Sequence, residues 1–586
     1  MKKKVFASIL AASLLLTGCG GTASSVVGSG SSAPAASTEA VKMTPGTYQG
    51  TAAGMRGDLT VSVTVDETSL LSVEVIETVD TAVISDAAIN VLPARIVEQQ
   101  SVQVDNVSGA TMTSLGIKNA VANAIEQAGG DLANFKKKSE SASKTAGEAQ
   151  SYDVVVVGAG MSGMSAAIEV ARSSGASVLV LEKEAYTGGS SRVCGGGIWA
   201  VNSELNQQIG QDSTLEEYIE FMKQRGETEV LDTALMESIY NKSAEVIEYY
   251  YENGLPVTLE GWSLGHPDSQ LPVLWAANGS EYEWETGESG VFDAVEALAE
   301  KLGVEVRLNS EVTELIHADG TVSGVRVEDA DSTYQINAKQ VILATGGFTR
   351  NREMIAELAP GYENIMPFTG AGSDGDGITL TRELDTVLVG EGMMGLYGLN
   401  MNTGYYGELG SLVWLPRLCV NAEGETFGME SAFYGDTLKL LLDQTGSCAY
   451  GIFDSTTTVT DRLEKAVAEG LAFRYDSLEE LAAAKGIDTA ALAQTAQANE
   501  LADGPYYCIV IKPLFIGSIP GLDVDENCHV LTSAGEPIDG LLACGELVFG
   551  NVFNRAYPAS GTGMATSAYT GAIAGSTAVR AVDAAN

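Results

Sequence analysis

Two short stretches near the N-terminal end alternate apolar and polar residues. "LTVSVTV" (59–65) and "LLSVEVIE" (70–77) keep the two-residue period of half-buried strands, so two strands are predicted there. A helix is expected near 86–99. After it, "GIKNAVANAIEQAG" sets Ile117, Val121 and Ile125 at four-residue steps, one face of an amphipathic helix. Between the two helices lies "SVQVDNVSGATMTSL" (101–115), a run of small and hydroxyl residues. Read locally it makes a turn, with Thr111 or a neighbour capping the helix that follows. These elements form a small α+β unit over 43–132, and the polar stretch 133–151, with "KKKSESASKTAGEAQS", reads as a linker.

At residue 152 the texture changes. "YDVVVVGAGMSGMSAAIEVARSSGASVLVLEKEAYTGGSS" is a buried strand, a Gly-rich turn, a helix, a second strand and an acid. Gly158, Gly160 and Gly163 satisfy GxGxxG, and Glu182 ends the second strand 19 residues after Gly163. Those glycines let backbone N–H groups and a helix N-terminus approach a pyrophosphate, and the acid accepts hydrogen bonds from a ribose. A dinucleotide-binding α/β domain is therefore expected.

The chain has 586 residues, enough for several domains, and 45% of them are apolar. A net charge of −44 excludes the basic stripe by which nucleic-acid binders displace counterions. The seven cysteines include no CxxC or CxxCH, and the three histidines (His266, His317, His529) have no metal-ligand spacing, so haem attachment, zinc and other metal sites are not expected. "MKKKVFASILAASLLLTGC" has a basic start and an apolar run too short to span a bilayer, which reads as a signal peptide. Its "LTGC" resembles a bacterial lipoprotein box. That resemblance implies that 1–19 is a lipoprotein signal segment cut just before Cys19, that Cys19 is lipidated and becomes the mature N-terminus, and that the lipid anchors the protein at the outer face of the cytoplasmic membrane. An ordinary secretory signal with an incidental Cys is the alternative. Residues 20–42, rich in Gly, Ser and Ala, read as a flexible tether.

The cofactor reading follows from motifs further along. "TGGSS" (187–191, with Gly188, Gly189 and Ser190), "CGGGIWA" (194–200, with Gly196 and Gly197), "VILATGGF" (341–348, with Thr345 and Gly346), "SDGDGI" (373–378, with Asp376) and "LLACGEL" (541–547, with Glu546) together resemble the fumarate reductase/succinate dehydrogenase flavoprotein superfamily. The resemblance implies non-covalent FAD and a Rossmann-like FAD-binding domain interrupted by an α+β capping domain. Its first part would span 152–270. Residues 271–510 would be mainly cap, with FAD-domain strands interleaved at about 300–380, and 511–586 would return to the first domain. "GVEVRLNSEVTELI", which carries Val312, would lie in those interleaved strands, with Val312 at the cofactor.

Beside such a domain, "DNVSGATMTS" resembles the covalent FMN-binding domain of sodium-pumping quinone reductases and extracytoplasmic flavoprotein reductases. The resemblance implies that a flavin transferase joins FMN to the Thr113 hydroxyl, and Thr113 is then expected to be exposed, with Gly109 and Ala110 leaving room. A membrane donor, a quinol or NADH dehydrogenase system, would feed FMN, then FAD, then a small-molecule substrate outside the membrane.

The substrate motifs depart from the fumarate reductase pattern. In "FGMESAFYGD" (427–436), Tyr434 and Gly435 stand where that pattern has a proton-donating Arg, and Phe515, Ile516 and Gly517 stand near its His positions. "NRAYPASG" (554–561) is similar to the "YPGPG" segment of ketosteroid dehydrogenases, which implies that Tyr557 and the Gly561 backbone N–H hold the oxygen of an enone. Tyr434, Tyr405 or Tyr406 would supply the proton. Three alternatives stay open: Tyr557-Pro558 as a plain turn, Arg555 as the grip of an α,β-unsaturated carboxylate, and a flavin electron-transfer lipoprotein that reduces no small molecule. Trp262, Trp275 and Trp284 line either an apolar pocket or the core.

Overall fold

The computed structural model describes residues 42–585, apart from 55–56, 79, 81, 105, 108–109, 137–143, 209–212, 227–231, 257, 264–271, 276–289, 400–406 and 430–433. The proposed leader, Cys19 and all of the tether but Lys42 lie outside the described residues, as do Gly109, Tyr405, Tyr406 and Trp284.

The N-terminal unit is an antiparallel sheet, β1 (Gly46–Ala53), β2 (Asp58–Val65) and β3 (Leu70–Glu77), in the order β1-β2-β3. Helices α1 (Ala82–Gln99) and α2 (Thr111–Gln127) accompany it. Leu59, Val61, Val63 and Val65 project from one side of β2 and pack in one core with Leu92 and Ile96 of α1 and Ile117, Val121 and Ile125 of α2. The two periods in the sequence, two and about four, therefore meet in a single apolar layer.

A second body begins with β4 (Thr145–Ala146), β5 (Gln150–Val157), α3 (Met161–Ser173) and β6 (Val178–Leu181). β5 runs parallel to β6 on one side and to strand Ser332–Leu343 on the other, and Glu305–Arg307 extends the sheet beyond β6. Val154–Val157 is a continuous apolar run because a central parallel strand is covered on both faces. The last strand, Pro537–Ala543, joins Ser332–Leu343 in parallel, and helix Thr562–Ala585 then lies on α3. The contact is backbone-close: a Cβ on Gly571 would sit 2.1 Å from the Ser162 carbonyl oxygen.

The cap is a six-stranded sheet built on one long strand, Tyr506–Ser518. Residues 507–511 of that strand pair with Ala449–Phe453, and residues 512–518 pair with Met393–Gly398. The boundary expected at 510/511 thus falls inside a continuous strand. Tyr507, Ile509 and Ile511 pack in the core of the cap, whereas Phe515 packs in the core of the FAD-binding body, so the strand passes from one to the other along its length. Trp262 and Trp275 lie in a small sheet formed by Thr258–Ser263, Pro272–Trp275 and Gly197–Trp199.

Candidate functional site

The C-terminal ends of β5 and β6 open into a cleft, the place where open α/β sheets bind their ligands. Gly158 and Gly160 line it at the β5–α3 turn, where the N-terminus of α3 offers unpaired N–H groups. Gly163 does not line the cleft. A Cβ there would lie 1.9 Å from the Gly158 carbonyl oxygen, so this glycine lets α3 pack against the turn that holds the ligand. Glu182 lines the cleft at the end of β6, its Oε2 accepting from Ala159 N–H at 2.8 Å and its Oε1 from Glu184 N–H at 2.9 Å. Burial raises its pKa, and the two N–H groups offset only part of the cost of desolvation.

The opposite wall brings in Gly189, Ser190, Val312, Thr345 and Gly346, with Asp376 and Glu546. Gly188, Gly196 and Gly197 stand outside the wall. Gly188 is packed under Arg192 and Phe292, and Gly197 begins the strand Gly197–Trp199. Sequence reading missed Lys183, which bridges Asp374 and, at 2.6 Å, Asp376. Burial alone would lower its pKa, but the two carboxylates outweigh that and raise it, so Lys183 is a fixed cation at the cleft. Its partners lie almost two hundred residues away, beyond any local pattern.

The polar lining fits a flavin dinucleotide. Thr345 Oγ1 and Ser373 Oγ are buried in this wall with no hydrogen-bond partner among the described residues, a costly state that ligand hydroxyls or phosphate oxygens would relieve. Glu546 is buried at the same wall and accepts from Ser518 N–H (2.7 Å) and Ser518 Oγ (2.9 Å), the last residue of the long cap strand. Burial pushes its pKa up to about 7.

Beyond Glu546 the surroundings turn apolar. Phe515 is fully buried, and a Cβ on Gly517 would sit 3.1 Å from Met394 Sδ and 3.3 Å from Glu546 Oε1. Tyr557 is 7% exposed and meets Phe553 edge-on at 6.3 Å. Gly561 has φ +81°, and a Cβ there would lie 3.1 Å from the Gly197 backbone, so both conformation and space require glycine. Arg555 points differently: its side chain is 44% exposed and faces Glu391 at 3.7 Å. Tyr434 opens helix Tyr434–Leu442, and its side chain lies outside the described residues.

In the N-terminal unit Thr113 is 2% exposed, not exposed as expected. Its hydroxyl turns inward and donates to Asp80 Oδ2 at 2.6 Å, a charge-assisted bond that holds the side chain in. The neighbours Met112 and Leu115 face solvent instead. The cap of α2 also differs from expectation: Ala110 is the N-cap residue and makes no side-chain cap bond.

Residues 153–564 match the FAD binding domain family model, and residues 54–126 match that of the FMN-binding domain. The chain belongs to the FAD binding domain family and carries an FMN-binding domain ahead of it. It is a flavin-dependent oxidoreductase of a family that acts on carbon–carbon double bonds. It is 28% identical to a urocanate reductase of Eggerthella lenta, over 85% of this chain and 87% of that protein. Its fold is similar to a flavocytochrome c3 fumarate reductase in an open conformation (TM-score 0.62, 23% identity, 77% of this chain and 83% of that one). A 3-ketosteroid Δ4-(5α)-dehydrogenase from Rhodococcus jostii shares the fold as well (TM-score 0.59, 23% identity, 73% and 97%).

Proposed function

We propose that this protein reduces a carbon–carbon double bond conjugated to a carbonyl, with a steroid-like enone as the favoured substrate. The observation that carries the reading is the contrast within one segment, where Tyr557 and, four residues on, Gly561 are both buried while Arg555 is half-exposed and opposite Glu391. FAD bound in the cleft would supply the hydride for the β-carbon. The Tyr557 hydroxyl and the Gly561 N–H would hold the carbonyl oxygen as negative charge gathers on it. Tyr434 is the proposed proton donor to the α-carbon. A small dianion fits poorly, since Phe515 and Gly517 replace cationic ligands and the Glu546 carboxyl stands beside them.

The supply side belongs to the same proposal. Cys19 would carry a lipid at the outer face of the cytoplasmic membrane. Thr113, joined to FMN by a flavin transferase, would relay electrons from a quinol or NADH dehydrogenase system to FAD. The likeness to a urocanate reductase supports a second reading, an unsaturated-carboxylate reductase gripping its substrate with Arg555. Mutation separates the two. Tyr557→Phe lowers enone turnover about 100- to 1,000-fold and Arg555→Ala leaves it nearly unchanged. The reverse pattern, with a carboxylate substrate, overturns the enone reading.

A further inference from the structure

We infer that Asp80 is the group that prepares Thr113 for flavin attachment, receiving the proton of its hydroxyl as the phosphoester bond forms. The inference rests on the reading of Thr113 as the FMN site and adds the residue of this chain that makes its hydroxyl reactive.

Asp80, in the connection between β3 and α1, and Thr113, in α2, are thirty-three residues apart, yet their side chains meet inside the N-terminal unit at 2.6 Å. Both are buried. A threonine hydroxyl is a weak nucleophile until a base takes its proton, and a carboxylate already accepting that hydrogen is placed to do so. The surroundings are shaped for the pair. A Cβ on Gly54 would lie 2.6 Å from Asp80 Oδ2, so glycine leaves the carboxylate its place. Thr113 sits in the first turn of α2, where backbone N–H groups lack intrahelical acceptors and favour an incoming phosphate.

The step balances without a redox partner. A flavin dinucleotide, brought with the transferase, offers its pyrophosphate. A bond forms between Thr113 Oγ1 and the flavin-side phosphorus, the bond from that phosphorus to the bridging oxygen breaks, AMP leaves, and the Thr113 proton passes to Asp80 Oδ2. The product places a phosphodiester anion where the hydroxyl was. Once Asp80 gives that proton up to solvent, its carboxylate and the phosphodiester are two like charges at close range and repel, so the modified side chain turns outward, toward the solvent-facing Met112 and Leu115. Burial of the bare threonine and exposure of the finished flavin are then two states of one site.

The test uses the full chain made without transferase, then incubated with purified transferase and FAD. Attachment is followed by in-gel flavin fluorescence and intact mass. Wild type gains one FMN and Thr113→Ala gains none. Asp80→Asn can still accept the hydrogen bond but not the proton, and it is expected to lower the transferase's kcat on this chain about 100-fold with KM little changed. Asp80→Glu recovers part of the rate, which a purely structural role does not predict, and it decides the matter if the Asn variant melts early. An Asp80→Asn variant modified at the wild-type rate overturns the role of Asp80 while leaving Thr113 as the FMN site. A wild-type chain that stays unmodified overturns both.

Discussion

Replacing Glu546 with Gln tests the electrostatics of the cleft wall. In the flavin-free protein, burial raises this carboxyl from 4.5 to about 7, with Ser518 N–H and Oγ offsetting only part of the cost. At about 1.4 kcal/mol per pH unit the shift amounts to about 3 kcal/mol. The sign follows from proton binding: between pH 4.5 and about 7 the folded protein holds a proton that the unfolded chain has released. The stability linked to Glu546 is therefore full below about pH 4.5 and lost once the pH passes about 7. Glu546→Gln keeps an oxygen for both Ser518 donors and cannot ionise, so its melting temperature should lose less between about pH 5 and about pH 8, by a few degrees. Glu182 and Asp376, also raised by burial, contribute to the slope in both proteins, so the difference isolates Glu546. Parallel pH profiles for wild type and variant would refute the argument.

Other positions give sharper structural tests. Gly571→Ala puts a carbon 2.1 Å from the Ser162 carbonyl oxygen, and should cost about 1–3 kcal/mol in urea unfolding as α3 and the last helix part. Lys183→Met leaves Asp374 and Asp376 facing each other, and should destabilise the flavin-free protein by about 1–3 kcal/mol and lower its FAD content after purification.

What the sequence made legible was local. The glycines of "GAGMSG", the acid ending β6 and the four-residue spacing of Ile117, Val121 and Ile125 act within one strand–turn–helix or one helix face, so their spacing carries their meaning. The gaps are long-range. Lys183 finds Asp374 and Asp376, Ser518 reaches Glu546 from the cap, and Asp80 meets Thr113. Such pairs depend on how separate elements are brought together, and no period in the chain records that. The burial of Thr113 belongs here: small flanking residues suggested room, but an acid from the β3–α1 connection drew the hydroxyl inward. The passage from cap to FAD-binding body falls inside one apolar strand that changes partners midway, so no break in the chain's pattern marks it.

The central claim, reduction of an enone, is tested most directly by purified protein carrying both flavins, with a reduced viologen dye as donor. Dye oxidation is followed with a Δ4-3-ketosteroid, cinnamate, urocanate and fumarate in parallel. The account predicts oxidation that depends on the steroid, with uptake of two hydrogens at the conjugated double bond seen by mass spectrometry. Oxidation with the carboxylates alone, or with none of the four, would contradict it.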